Sequence, residues 1–98
     1  MKYKIIDIQD IKTKKTRTDG RYPLRIGSIV SLYNEDVKEN EFAFLCYEKD
    51  NEGNKKEGVL RTSLVRAVSS YYDNGKKNII IYTHNSIYFF EEVKDEDN

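Results

Sequence analysis

The sequence predicts a mainly β protein, a small antiparallel barrel or strongly curved sheet. Three observations lead there. The apolar residues are skewed to Ile, Val, Tyr and Phe, which suit a pleated, half-buried surface, and the only alanines are Ala43 and Ala67. Turn signals recur along the chain at Asp19–Gly20, Gly53, Gly58 and Asn74–Gly75. The segment 79–90, IIIYTHNSIYFF, reads as two apolar ribbons around a tight reversal.

Residues 2–9 form the first strand, with Tyr3, Ile5, Ile6 and Ile8 apolar; the imperfect alternation suits a bulge or a barrel edge. Residues 10–23 are a polar loop containing the only proline, Pro23. Residues 26–33 give the second strand, starting beside Gly27, and 34–41 a polar connection. Residues 42–48, FAFLCYE, are apolar on both faces and are expected at the centre of the sheet, with Cys46 as a small buried hydrophobe. In 59–72 a strand is expected to reach Thr62, followed by one helical turn or kink at 62–64 and a further strand over 65–72. Asn74–Gly75 tolerates positive φ at both positions and closes the next turn.

In the last hairpin, a two-residue loop at His84–Asn85 sets Thr83 opposite Ser86, Tyr82 opposite Ile87, Ile81 opposite Tyr88 and Ile80 opposite Phe89. Such pairs contribute roughly 0.2–1 kcal/mol each, and His and Asn are both enriched at positive φ. The tally is six to seven short strands and at most one short helical turn, a barrel of SH3-like or OB-like size. One domain is expected over 1–93, followed by an acidic, frayed tail over 94–98. The face carrying Ile80, Tyr82, Ile87 and Phe89 is taken as the inner one, so that Phe89→Asp prevents folding. The opposite face, with Ile79, Ile81, Tyr88 and Phe90, is then a candidate protein interface, because small proteins seldom leave such a patch bare.

Catalytic machinery is not legible. His84, the only histidine, reads as an exposed hairpin tip, with no spacing that supplies it a nucleophile or an orienting acid. One cysteine excludes an intramolecular disulfide and a cysteine-based zinc cage, and no metal or cofactor is implied. The glycines are dispersed and open no phosphate-cradling loop. An enzyme is therefore not expected.

Charge is unevenly spread. The chain is formally neutral, yet residues 1–25 carry eight Lys/Arg against three Asp, and 91–98 carry five acids against Lys94. Lys12, Lys14, Lys15, Arg17, Arg21 and Arg25, with Tyr22, are the candidate nucleic-acid contacts. Small barrels bind single strands by pairing a cationic groove with stacking aromatics, a role open to Tyr33, Tyr47, Tyr71, Tyr72 and Tyr88. Arg61, Arg66, Lys76 and Lys77 offer further charge. The sequence pI near 6.6 weighs against a dedicated nucleic-acid domain. Lys14→Glu with Arg17→Glu is expected to leave the fold intact; unfolding of the double variant would make the loop structural and remove the nucleic-acid site. The opening residues are too short and polar for a signal peptide and no apolar run approaches the ~18 residues of a membrane span, so a cytoplasmic location without a membrane partner is expected.

The second half carries a resemblance. Thr62, Ser63 and Val65, followed by Thr83, Asn85, Ser86 and Tyr88, match a TS-x-V segment ahead of a T-x-N-S-x-Y hairpin. The pattern is similar to small uncharacterised β-barrel proteins of low-GC bacteria and their mobile elements. The resemblance implies a barrel and a bacterial origin and supplies no catalytic or binding residue. The function expected first is a non-enzymatic interaction module, binding a protein or a second copy of itself. The alternative is a barrel that binds single-stranded nucleic acid or RNA through the basic loop 12–25.

Overall fold

The computed structural model describes residues 1–94. Of the tail expected to fray, all but Lys94 lies outside the described residues. Six antiparallel strands follow one another around a closed barrel: β1 Lys2–Asp10, β2 Ile29–Ser31, β3 Phe42–Lys49, β4 Val59–Asp73, β5 Lys76–Thr83 and β6 Ser86–Glu92. Each strand pairs with its neighbour in sequence and β6 closes on β1, an up-and-down meander without free sheet edges. No helix among the described residues is long and apolar enough to cross a membrane.

The β5–β6 hairpin has the expected register, Ile80 with Phe89, Ile81 with Tyr88 and Tyr82 with Ile87. Its turn differs in mechanism. Outside glycine, the described residues at positive φ are Lys14, Asn40 and Asn74, so neither His84 nor Asn85 adopts the left-handed conformation. The reversal is held instead by the buried Thr83 hydroxyl, which accepts from the Ser86 amide (2.9 Å) and donates to the Ser86 carbonyl (2.9 Å). At the β4–β5 turn the expected geometry is present, with φ of 54° at Asn74 and 77° at Gly75.

The inner face of this hairpin is the opposite of the one expected. Ile79, Ile81, Tyr88 and Phe90 lie in the core with Tyr3, Ile5, Ile8, Val30, Leu45 and Val65. Ile80, Tyr82 and Phe89 are half-buried on the outside, while Ile87 of the same expected row is buried, outside the main core cluster. Barrel closure is the reason. Ile5 pairs with Phe90 and Ile8 with Tyr88, and a bulge between Ile5 and Asp7 turns both isoleucines to the same side. The face of β6 that meets those isoleucines must line the interior.

Three further differences share one cause, the need to bend strands into a ring. No helical turn occurs at 62–64; β4 runs unbroken and bends at bulges between Phe42 and Phe44 opposite it and between Val65 and Ala67. The helical turns lie elsewhere, in α1 Tyr22–Arg25 and a 3-10 turn over Asn34–Asp36. The strand expected over 26–33 shrinks to the three residues of β2. Strand β3 is apolar on both faces but is covered on one only: Ala43 and Leu45 point inward, while Phe42, Phe44 and Cys46 are exposed. Cys46 is thus a surface thiol, because its place in the pleat is on the outer row.

Short β2 leaves most of one edge of β1 without a strand partner, and the 11–28 connection fills it. The Gly27 amide donates to the Ile5 carbonyl (2.7 Å), the Arg17 amide to the Ile8 carbonyl (2.8 Å) and the Asp10 amide to the Lys15 carbonyl (2.9 Å). Tyr22 and Ile26 then pack onto the core from the end of the barrel.

Candidate functional site

The structure divides the basic loop into parts with different work. Arg17 is structural. Its guanidinium pairs with Asp19 (2.9 Å), donates to the Asn85 carbonyl (3.1 Å) and the Ser86 hydroxyl (2.8 Å), and lies 4.2 Å from the Tyr22 ring centroid. It therefore ties the loop to the tip of the β5–β6 hairpin. Lys12, Lys14 and Lys15 are exposed around the Asp10 turn, in which the Asp10 carboxylate accepts from the Lys12 (2.8 Å) and Thr13 (3.0 Å) amides. Those amide bonds hold the carboxylate below the usual range. Arg21 and Arg25, by contrast, are the N-cap and last residue of α1, and Arg25 shares the Tyr22 ring with Arg17, its guanidinium 5.0 Å from the centroid.

Two variants separate these roles. Arg17→Glu should cost about 2–4 kcal/mol, since it removes charge-assisted bonds that close the barrel end. Lys14→Glu should change stability by less than about 0.5 kcal/mol. Urea denaturation of the two single variants checks both; equal midpoints would show that the loop is not anchored through Arg17.

Arg21 and Arg25 enter a groove of about 340 Å³ together with Leu24, Tyr47, Lys56, Glu57, Val59 and Arg61. Local chain chemistry places each wall. Pro23 sits in the first turn of α1, where its fixed φ suits a helix start and its missing N–H costs nothing. The opposite wall is the β3–β4 turn, organised by the Asp50 carboxylate accepting from the Glu52 and Asn54 amides, both 2.9 Å. The walls meet at Gly27. Its φ is 97°, and a Cβ there would lie 3.3 Å from the Asn51 Cβ, so only glycine lets the turn approach.

Arg25 lines the groove with its guanidinium 5.0 Å from the Tyr22 ring centroid, and its charge works against the larger effect of burial, which raises the Tyr47 and Tyr88 phenols. Burial pushes Tyr88 up to about 12, against the opposing pull of Arg25, so it stays a neutral phenol at all ordinary pH. Lys56 lies 4.0 Å from the Tyr47 ring centroid. Among the described residues, none of Arg21, Arg25, Lys56 and Arg61 is paired with a carboxylate. Four cations against Glu57 at the groove, with the Asp50 carboxylate near Lys56, leave a local positive excess in a chain whose total charge is zero.

The groove opens onto an apolar strip on the outer face of β3 and β4. Cys46 pairs with Val59, and Phe44 pairs with Arg61. Phe44 is 63% exposed and Val59 58%. Phe42, about 7 Å further along the strand, is backed by the Arg61 guanidinium at 4.5 Å from its ring centroid. Phe44 therefore stands open beside the cationic groove, and the Arg61 guanidinium lies against the next outward ring, Phe42.

The other residues singled out from the sequence fall elsewhere. Ile79, Ile81, Tyr88 and Phe90, expected at an interface, are core residues and present no surface to a partner. Tyr33, Tyr71 and Tyr72 are exposed but do not line the groove. His84 faces a separate recess of about 280 Å³ with Asp10, Lys12, Arg17 and Tyr22. No group of three metal-ligating side chains occurs among the described residues. Phe42, Phe44, Val59 and Lys56 were not legible as site residues. The signal available was the large–small–large order of Phe42, Ala43 and Phe44, in which the alanine marks the crowded inner face.

Comparison with known proteins finds no matching family model, no matching curated protein and no matching solved structure.

Proposed function

We propose that this barrel binds single-stranded nucleic acid on the outer face of β3 and β4. The observation that carries the reading is the union of four groove cations, none in a salt bridge among the described residues, with the exposed Phe44 ring and the Phe42–Arg61 pair beside it. Bases stack on aromatic rings and on guanidinium planes, while phosphates seek cations, and the two needs are met here side by side. Duplex DNA hides its base faces and cannot use Phe44. The neutral charge of the whole chain is no obstacle, because the field that a ligand meets is local.

The test is fluorescence anisotropy with a labelled single-stranded oligonucleotide at several salt concentrations. Phe44→Ala should weaken binding about tenfold or more, as expected for one lost base stack. With four phosphate contacts the logarithm of affinity should fall against the logarithm of salt with a slope of about −3. Binding that ignores both salt and Phe44→Ala would overturn the reading.

Self-association has one observation of its own: the outward row Ile80, Tyr82 and Phe89 is apolar and only half-buried. Assembly through that row would be insensitive to salt and would double the mass seen by light scattering, with no change in Phe44→Ala.

A further inference from the structure

Resting on that reading, we infer that the groove takes a terminal phosphate, a phosphomonoester at one end of the strand, rather than an internal stretch of backbone. Charge is unevenly distributed along the strip. Arg21, Arg25, Lys56 and Arg61 converge on one concavity of about 340 Å³. Moving away along β3, the strip passes Cys46 and Val59, then Phe44 and Arg61, then Phe42. A surface that tracked a run of backbone phosphates would spread its cations along the path. Here Arg21, Arg25 and Lys56 gather at one end and Arg61 alone stands along the strip, against Phe42, so the surface fits a ligand whose negative charge is concentrated at its terminus.

A terminal monoester has that property. It carries close to two charges at neutral pH and three acceptor oxygens, whereas each internal phosphate carries one charge. Arginine forks match phosphate oxygens in pairs, and Arg21 is exposed and free to turn toward them. Arg25, half-buried with its guanidinium 5.0 Å from the Tyr22 ring centroid, supplies a further charge to the groove wall. The first base then lies over Val59 and the second on Phe44. The volume sets the same limit, being at the small end of the range for pockets that enclose small ligands.

The experiment uses three oligonucleotides of one sequence, with a 5′-phosphate, a 3′-phosphate, or hydroxyls at both ends, competing against a labelled strand. One phosphorylated form should bind about tenfold more tightly than the dihydroxyl form, and which one does so fixes the direction of the strand. Arg21→Gln with Lys56→Gln, both exposed positions, should weaken all three forms but the preferred phosphorylated one most, bringing the ratio of phosphorylated to dihydroxyl affinity to about one, with the melting temperature unchanged. Equal binding of all three forms would overturn the inference while leaving the single-strand reading standing. A preference that survives in the double variant would overturn the groove as its site. No binding of any form would overturn the single-strand reading itself, and the terminal-phosphate inference with it.

Discussion

Phe90→Asp should leave the chain unfolded, whereas Phe89→Asp, one residue earlier, should fold. Phe90 is 1% exposed and packs beside Tyr88 with ring centroids 6.2 Å apart and planes 11° from parallel. It faces Ile5 across one ladder and Ile79 across the other. Deleting such a ring costs about 3–5 kcal/mol, and an unpaired carboxylate among isoleucines adds several more. A domain of this length has only about 5–15 kcal/mol in total. Phe89 opposes Asp7 and Ile80 on the outer surface. An aspartate there meets the Asp7 carboxylate across the ladder and should cost about 1–2 kcal/mol. Far-UV circular dichroism and urea titration of the two variants decide the matter. A folded Phe90→Asp together with an unfolded Phe89→Asp would restore the inner face that the pattern alone suggested.

That face shows what a local pattern can and cannot give. The hairpin register was legible because pairing depends only on alternation and on where the chain reverses, both local properties. Which side faces inward was not, since both ribbons are apolar on both sides. The choice is made by β1, some eighty residues earlier, through a bulge that aligns Ile5 with Ile8. The small hydroxyl pair Thr83 and Ser86 was a usable hint. Buried at a turn, they satisfy one another and the backbone; on an outer surface they would carry no such constraint. The long loop was misjudged for a related reason. Its cations read as one patch by sequence distance, yet Arg17 had a distant partner in the carbonyl of Asn85.

The candidate site was half legible. Arg21 and Arg25 were in view as charge, Arg61 as further charge and Tyr47 as an aromatic. What joins them is the approach of the β3–β4 turn to Gly27, a tertiary contact that no window of sequence contains. Phe42 and Phe44 were hidden by a sound rule misapplied. A strand that is apolar on both faces usually lies between two layers, but a closed six-stranded barrel has one interior only, so such a strand must expose half of its apolar residues. An exposed phenylalanine on a barrel is then a better functional signal than a charged loop, because solubility alone would have removed it.

Thr83→Val should destabilise the barrel by about 2–4 kcal/mol, although valine has nearly the same shape and Thr83 is 0% exposed. The reversal at His84 and Asn85 lacks the left-handed residues that ordinarily make a two-residue turn self-sufficient. The hydroxyl does that work: besides its two bonds to Ser86 it accepts from the Asn85 amide (3.3 Å) and from the Ser63 hydroxyl (3.1 Å). Valine leaves the Ser86 amide and carbonyl without these partners at a position that is 1% exposed. The same turn presents the Asn85 carbonyl to the Ile11 amide (3.2 Å) and to Arg17, so loss of the hydroxyl should also loosen the strap that carries Tyr22 and Arg25. Thr83→Ser, which keeps the hydroxyl, should cost about 1 kcal/mol for its missing methyl group. A double-mutant cycle of Thr83→Val with Arg17→Ala should return a coupling of about 1 kcal/mol or more, because both side chains hold one turn. Equal stability of the valine and serine variants would show that the backbone alone sustains the reversal, and strict additivity with Arg17→Ala would show that strap and hairpin tip are independent.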